Sequence, residues 1–142
     1  MGSSWALAIT QTFSDLMTVK YNESLSFSAQ DLLECTLEDQ TSLCHYTDES
    51  RIEQALNRLK NIGVGTTSCY PFNPLLSPKK CAAVCPTNKQ PITRTTAKGI
   101  TEVTKDITSI TNQIGNFGPI LAVIEYRDSL NYYNSGLLNN NG

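Results

Sequence analysis

Apolar residues recur at helical spacing from the start of the chain. Trp5, Ile9, Phe13, Leu16 and Met17 follow three- and four-residue steps, the stripe by which one helix face meets a core. Ser3 or Ser4 can cap its first turn. After a polar connection from Lys20 to Phe27, Ser28 with Asp31 three positions later forms a capping arrangement, which predicts a short helix through Cys35. Ser50-Arg51-Ile52-Glu53 reads as a capping box for a third helix. Ile52, Ala55, Leu56, Leu59 and Ile62 make its apolar face, and Gly63 supplies the stop.

The pattern then changes. Val64 to Pro91 is rich in Gly, Pro, Ser and Thr and carries three cysteines, which suits an irregular, cross-linked excursion. Thr93 to Val103 is threonine-rich and partly alternating, as a strand would be. Asp106 can cap a helix with Ile107, Ile110 and Ile114 on one face, ended by Gly115 to Gly118. Pro119 to Ile124 has the length and branching of a buried strand, and Asn134-Ser135-Gly136 signals a turn. Helices first and strands afterwards predict an α+β fold in two packed subdomains.

Composition narrows the function classes. The 142 residues suffice for one compact domain, and the net charge of −2 gives no basic footprint for nucleic acid. No apolar run approaches the roughly 20 residues that cross a bilayer, and no charged segment ahead of an apolar core marks a signal peptide at Met1. The five cysteines, Cys35, Cys44, Cys69, Cys81 and Cys85, make no zinc pattern. Cys81 and Cys85 are close, but the one histidine is His45 and no second close pair exists, so neither metal nor cofactor is expected. Disulfides in an oxidising compartment, with one cysteine left over, are the better reading. Asn22-Glu23-Ser24 is an N-glycosylation sequon, which matters if the protein is secreted.

Several segments carry a family resemblance in the right order. Gly2-Ser3-Ser4-Trp5-Ala6 resembles the nucleophile segment of papain-like cysteine peptidases, Cys-Gly-Ser-Cys-Trp-Ala-Phe. Ser28-Ala29-Gln30-Asp31-Leu32-Leu33 and the stretch Pro78 to Pro86 are similar to the cathepsin B branch. Cys44 falls where the family has Gly-Cys-x-Gly-Gly, and Cys69-Tyr70-Pro71-Phe72 resembles a Tyr-Pro-Tyr turn. Gly118-Pro119-Ile120 and Tyr132 to Gly136 resemble the Gly-Pro-Val strand and the Tyr-x-Ser-Gly turn. There is no room between Cys69 and Cys81 for the occluding loop of cathepsin B.

The resemblance implies a two-subdomain papain-like fold, with a helical left subdomain at 1–92 and a partial β right subdomain at 93–142. It implies disulfides Cys35–Cys81 and Cys69–Cys85, worth about 4 and about 3 kcal/mol in the chain-entropy account. Cys44 is then unpaired, because Met1 stands where its usual partner would be; the alternative is that Cys44 pairs locally in place of Cys35. Ser4 takes the nucleophile's position. Ser3, Trp5, His45, Tyr46 and Thr47 fall at substrate-binding positions, with His45 read as a surface histidine. Tyr46 and Thr47 replace glycines that leave room for a substrate backbone.

Chemistry turns on Ser4. The family's reaction needs a thiolate, whose pKa the helix N-terminus and a nearby imidazolium lower. A serine hydroxyl is far less acidic and acts only if a histidine takes its proton during attack. In the family that histidine follows the turn resembling Tyr132 to Gly136, the orienting asparagine lies further on, and the oxyanion glutamine precedes Met1. The expectation is therefore a C-terminally incomplete domain, either part of a longer chain or completed by another polypeptide over the edge at Ile120 to Ile124. Its expected role is that of an inactive homologue acting as a binding or structural component, with a peptide or protein partner. The alternative is a cysteine-type endopeptidase, seen as a partial chain with serine in place of cysteine. A natural serine-nucleophile variant, which needs the histidine, is a third reading. The implied setting is the secretory pathway, a lysosome or vacuole, or the outside of the cell.

Overall fold

The computed structural model describes residues 3–36, 49–74 and 80–136. Its helices are α1 Ser4–Tyr21, α2 Ala29–Thr36, α3 Glu49–Asn61 and α4 Ile107–Phe117, followed by a 3-10 turn at Asp128–Tyr132. Helix α2 packs against both α1 and α3, and the core lies among these three.

Helix α1 buries the predicted stripe at Trp5, Ile9 and Phe13, with Met17 packed at its margin. The buried face is wider than the apolar pattern indicates, because Ala6, Thr10 and Ser14 are inside too. The two hydroxyls satisfy themselves locally: Thr10 donates to the Ala6 carbonyl at 2.8 Å and Ser14 to that of Thr10 at 2.7 Å. Ser14 Oγ then accepts the Phe27 N–H at 3.1 Å, which brings the Phe27 ring onto Phe13 at 4.5 Å between centroids. At the start, Ser3 occupies the N-cap position but makes no side-chain cap bond. Its φ of −97° and ψ of 1° lie outside the extended region from which a cap hydroxyl reaches the first turn. Asn22 closes the helix in the left-handed conformation, its N–H on the Thr18 carbonyl at 3.0 Å.

Helix α2 is capped as predicted on one side only. Ser28 Oγ accepts the Asp31 N–H at 3.0 Å, but the Ser28 N–H goes to the Gly65 carbonyl and the Asp31 carboxylate turns away from it. Helix α3 begins at Glu49, so Ser50 lies inside the helix and is not its cap. Ala55 and Leu59 are buried and Ile52 and Leu56 pack beside them. Ile62, predicted on this face, lies beyond the last helical residue and is half exposed. Gly63 makes the turn at φ +87°, and a Cβ there would stand 2.5 Å from the Thr95 carbonyl oxygen.

The predicted strands are not formed among the described residues. Thr95 pairs with Val64 through two 3.0 Å backbone bonds, and Phe27–Thr66 and Val84–Pro91 are likewise single bridges. Pro119, Ile120 and Leu121 are half-buried, whereas Val123 and Ile124 are 64% and 69% exposed. Branching and alternation favour extended backbone, but a strand also needs a neighbour that supplies donors and acceptors along its length. The described architecture is thus helical with isolated bridges, and the β right subdomain is not shown among the described residues.

Helix α4 is capped by Asp106, whose carboxylate accepts the Ser109 N–H at 2.8 Å. It runs through Gly115 and ends at Gly118, at φ +105°. Its isoleucine face is not buried, and Ile107 is 85% exposed. The helix itself lies against α1, and just after it Gly118 sits beside Leu16 and Val19 and Leu121 meets the core. The chain bends at Ser135-Gly136, with Gly136 at φ +87°.

Candidate active site

Ser4 is the first residue of α1 and is exposed. The next two side chains hold that helix end in place. Trp5 is turned into the core with 4% of its surface exposed, and Ala6 is fully buried. Trp5 therefore backs the helix end, while half-buried Ser3 and exposed Ser4 stand at its surface. The first N–H groups of a helix lack intrahelical acceptors and carry its positive dipole end, so Ser4 sits where developing negative charge is stabilised. A thiol in this position gains acidity from that field. A hydroxyl keeps its proton and requires a base. Met1, Cys44, His45, Tyr46 and Thr47 lie outside the described residues. Asn22 is exposed, with its sequon running into the connection to α2.

Both disulfides implied by the resemblance are formed. Cys35–Cys81 ties the end of α2 to the segment after residue 80, and Cys69–Cys85 closes the excursion on itself.

A buried polar centre behind α2 was not foreseen from the sequence. Asp31 is fully buried, and Arg94 grips its carboxylate with two bonds, Nη2 to Oδ1 at 2.7 Å and Nε to Oδ2 at 3.1 Å. The Gly65 N–H donates to Oδ2 at 2.8 Å, and Arg94 Nη2 also reaches the Ala82 carbonyl at 2.9 Å. One guanidinium thus joins α2 to the segment carrying Cys81, and a Cβ on Gly65 would collide with Ile92 at 2.8 Å. Arg58 of α3 lies alongside. Its buried Nε has no hydrogen-bond partner, and burial, then the positive charge of Arg94, lowers its pKa. One turn further along α2, Glu34 accepts the Tyr70 hydroxyl and is held by Gln30 Nε2 at 2.6 Å. Burial and this carboxylate push the Tyr70 phenol well above its ordinary pKa.

The signal that could have found this centre is Asp31 itself, a carboxylate beside two leucines on a short helix. Nothing local pointed to Arg94, 63 positions away.

The sequence model of the family described as papain family cysteine protease matches residues 1–141. No curated protein matches the chain. Among solved structures the chain is similar to procathepsin B S9 from Trypanosoma congolense, with 21% identity and a TM-score of 0.49 over 65% of this chain and 32% of that one. It is also similar to the Amb a 11 cysteine protease of ragweed pollen in its proform, at 18% identity and a TM-score of 0.44 over 63% and 26%. In both cases the match spans well under two thirds of the solved chain, and likenesses this distant assign no residue roles. The family follows from the sequence match, which runs along nearly the whole chain: it belongs to the papain family of cysteine proteases.

Proposed function

We propose that this chain is a papain-family homologue that does not hydrolyse peptides and serves instead as a binding or structural component. The observation that carries the reading is Ser4, an exposed serine at the N-terminus of the core helix where the family places its cysteine. The dipole of one helix end contributes about 0.3–1 kcal/mol at an exposed site, far too little to ionise a hydroxyl. Two further features support a binding role. Tyr46 and Thr47 replace glycines in the segment resembling the substrate loop. Val123, Ile124 and Tyr126 lie exposed in the proposed right subdomain, 93–142, where a second polypeptide would find apolar surface to cover. The resemblance of 28–33 and 78–86 supports placing the chain near the cathepsin B branch. The two disulfides and the exposed sequon at Asn22 support a secretory, lysosomal, vacuolar or extracellular setting.

The test is hydrolysis of fluorogenic peptides by the complete natural protein. No turnover above that of a Ser4→Ala variant supports the reading. Turnover that Ser4→Ala abolishes overturns it in favour of a working peptidase.

A further inference from the structure

The Cys35–Cys81 disulfide lies under two guanidinium groups. Arg58 Nη2 is 3.6 Å from Cys81 Sγ, and Arg94 Nη2 is 3.9 Å from Cys81 Sγ and 3.7 Å from Cys35 Sγ. Asp31 opposes them from α2, with Oδ1 3.3 Å from Cys35 Sγ. The charges are therefore divided: Cys35 faces a carboxylate and one guanidinium, while Cys81 faces two guanidiniums. Lys80, next to Cys81, is exposed, and so is Cys81. The second disulfide differs, for Cys85 is buried.

We propose that Cys35–Cys81 is a reversible redox site, opened by a small dithiol reductant well before Cys69–Cys85. A reductant thiolate attacks the sulfur of Cys81, the exposed residue of the pair. The Cys35–Cys81 bond breaks, a mixed disulfide forms on Cys81, and Cys35 leaves as a thiolate that takes up a proton. The reductant's second thiolate then attacks its own bonded sulfur, and Cys81 leaves as a thiolate. Two electrons pass from the dithiol, which becomes a disulfide. Of its two protons, one ends on Cys35 and one in solvent. Arg58 and Arg94 stabilise the Cys81 thiolate, which favours the reduced state and speeds the resolving step by lowering the leaving group's pKa. The clamp from Arg94 to Asp31 and the Ala82 carbonyl spans the same two segments as the disulfide, so they stay docked while the sulfurs are apart.

The experiment is a dithiothreitol titration of the full natural protein at pH 7. Differential alkylation and peptide mass mapping report each disulfide, and circular dichroism follows the fold. Cys35 and Cys81 become alkylated at reductant levels at least tenfold below those that open Cys69 and Cys85, with the helical signal retained. In Arg58→Met the equilibrium for opening Cys35–Cys81 falls three- to tenfold, about 15–30 mV for this two-electron couple, and in Arg58→Lys it falls less. As a check on wild type alone, the reduced protein shows Cys81 alkylation with an apparent pKa below the ordinary cysteine value of about 8.5. Simultaneous opening of both disulfides, loss of the helical signal with the first, or an unperturbed Cys81 pKa overturns the proposal.

Discussion

Replacing Arg94 by methionine tests what holds α2 to the second half of the chain. The methionine keeps much of the side chain's apolar volume and removes its charge and five donors. Asp31 would lose both guanidinium bonds and keep the Gly65 N–H at 2.8 Å, while its side chain remains about 1% exposed. Removing one partner from a buried ion pair costs about 3–5 kcal/mol, chiefly because the remaining charge stays buried. For a chain of this size that is a fall in Tm of about 10–20 °C. Urea unfolding with both disulfides intact, followed by fluorescence of the one tryptophan, Trp5, in the α1 core, measures it. The double variant Asp31→Leu with Arg94→Met removes both charges and leaves the Gly65 N–H without its acceptor, at about 1–3 kcal/mol. Its loss should fall at least about 1.5 kcal/mol short of the summed single variants. A cost below about 1 kcal/mol for Arg94→Met, or simple additivity, refutes the reasoning that the pair is a buried, coupled tie.

Other consequences are quickly checked. Gly63→Ala combines a positive φ with a Cβ 2.5 Å from a backbone oxygen, so a loss of more than about 2 kcal/mol is expected in the same unfolding assay. Ile9→Ala, in the core at 2% exposure, should cost about 2–5 kcal/mol, whereas Ile107→Ala on the uncovered face of α4 should stay within about 0.5 kcal/mol. Asp106 has its pKa lowered, chiefly by the hydrogen bond from Ser109, and a depressed folded pKa contributes stability above the ordinary carboxylate value that is lost as pH falls through the folded one. The protection of the Ser109 amide, its exchange taken relative to the intrinsic rate at each pH, should therefore fall in acid below the usual carboxylate range, and Asp106→Asn should remove that pH dependence.

The helical half of the fold was legible because its signals are local. The apolar spacing of Trp5, Ile9 and Phe13, the face of Ala55 and Leu59, and the caps at Ser28 and Asp106 each report on a few neighbouring residues. The misses share another cause. Thr10 and Ser14 are buried because their hydroxyls bond to their own helix, which a hydrophobic pattern cannot register. Ile107, Ile114, Val123 and Ile124 have the pattern of buried residues, but pattern says what a segment could bury and not whether a neighbour lies against it. At the candidate site, the disulfide pairings were legible through the resemblance and are formed, while the same resemblance offers Ser4 as the nucleophile position the proposal rests on. The Asp31–Arg94 tie was not legible, because it joins Asp31, the Gly65 N–H and Arg94, which no short window contains together.

The central claim is that position 4 carries a serine that does not act as a nucleophile. Its most direct measurement is the intact mass of the complete natural protein after exposure to an electrophilic peptidyl probe, with a cysteine-bearing papain-family peptidase as the positive control. The account predicts one probe adduct on the control and none on Ser4. An adduct mapped to Ser4 in the natural protein would contradict it.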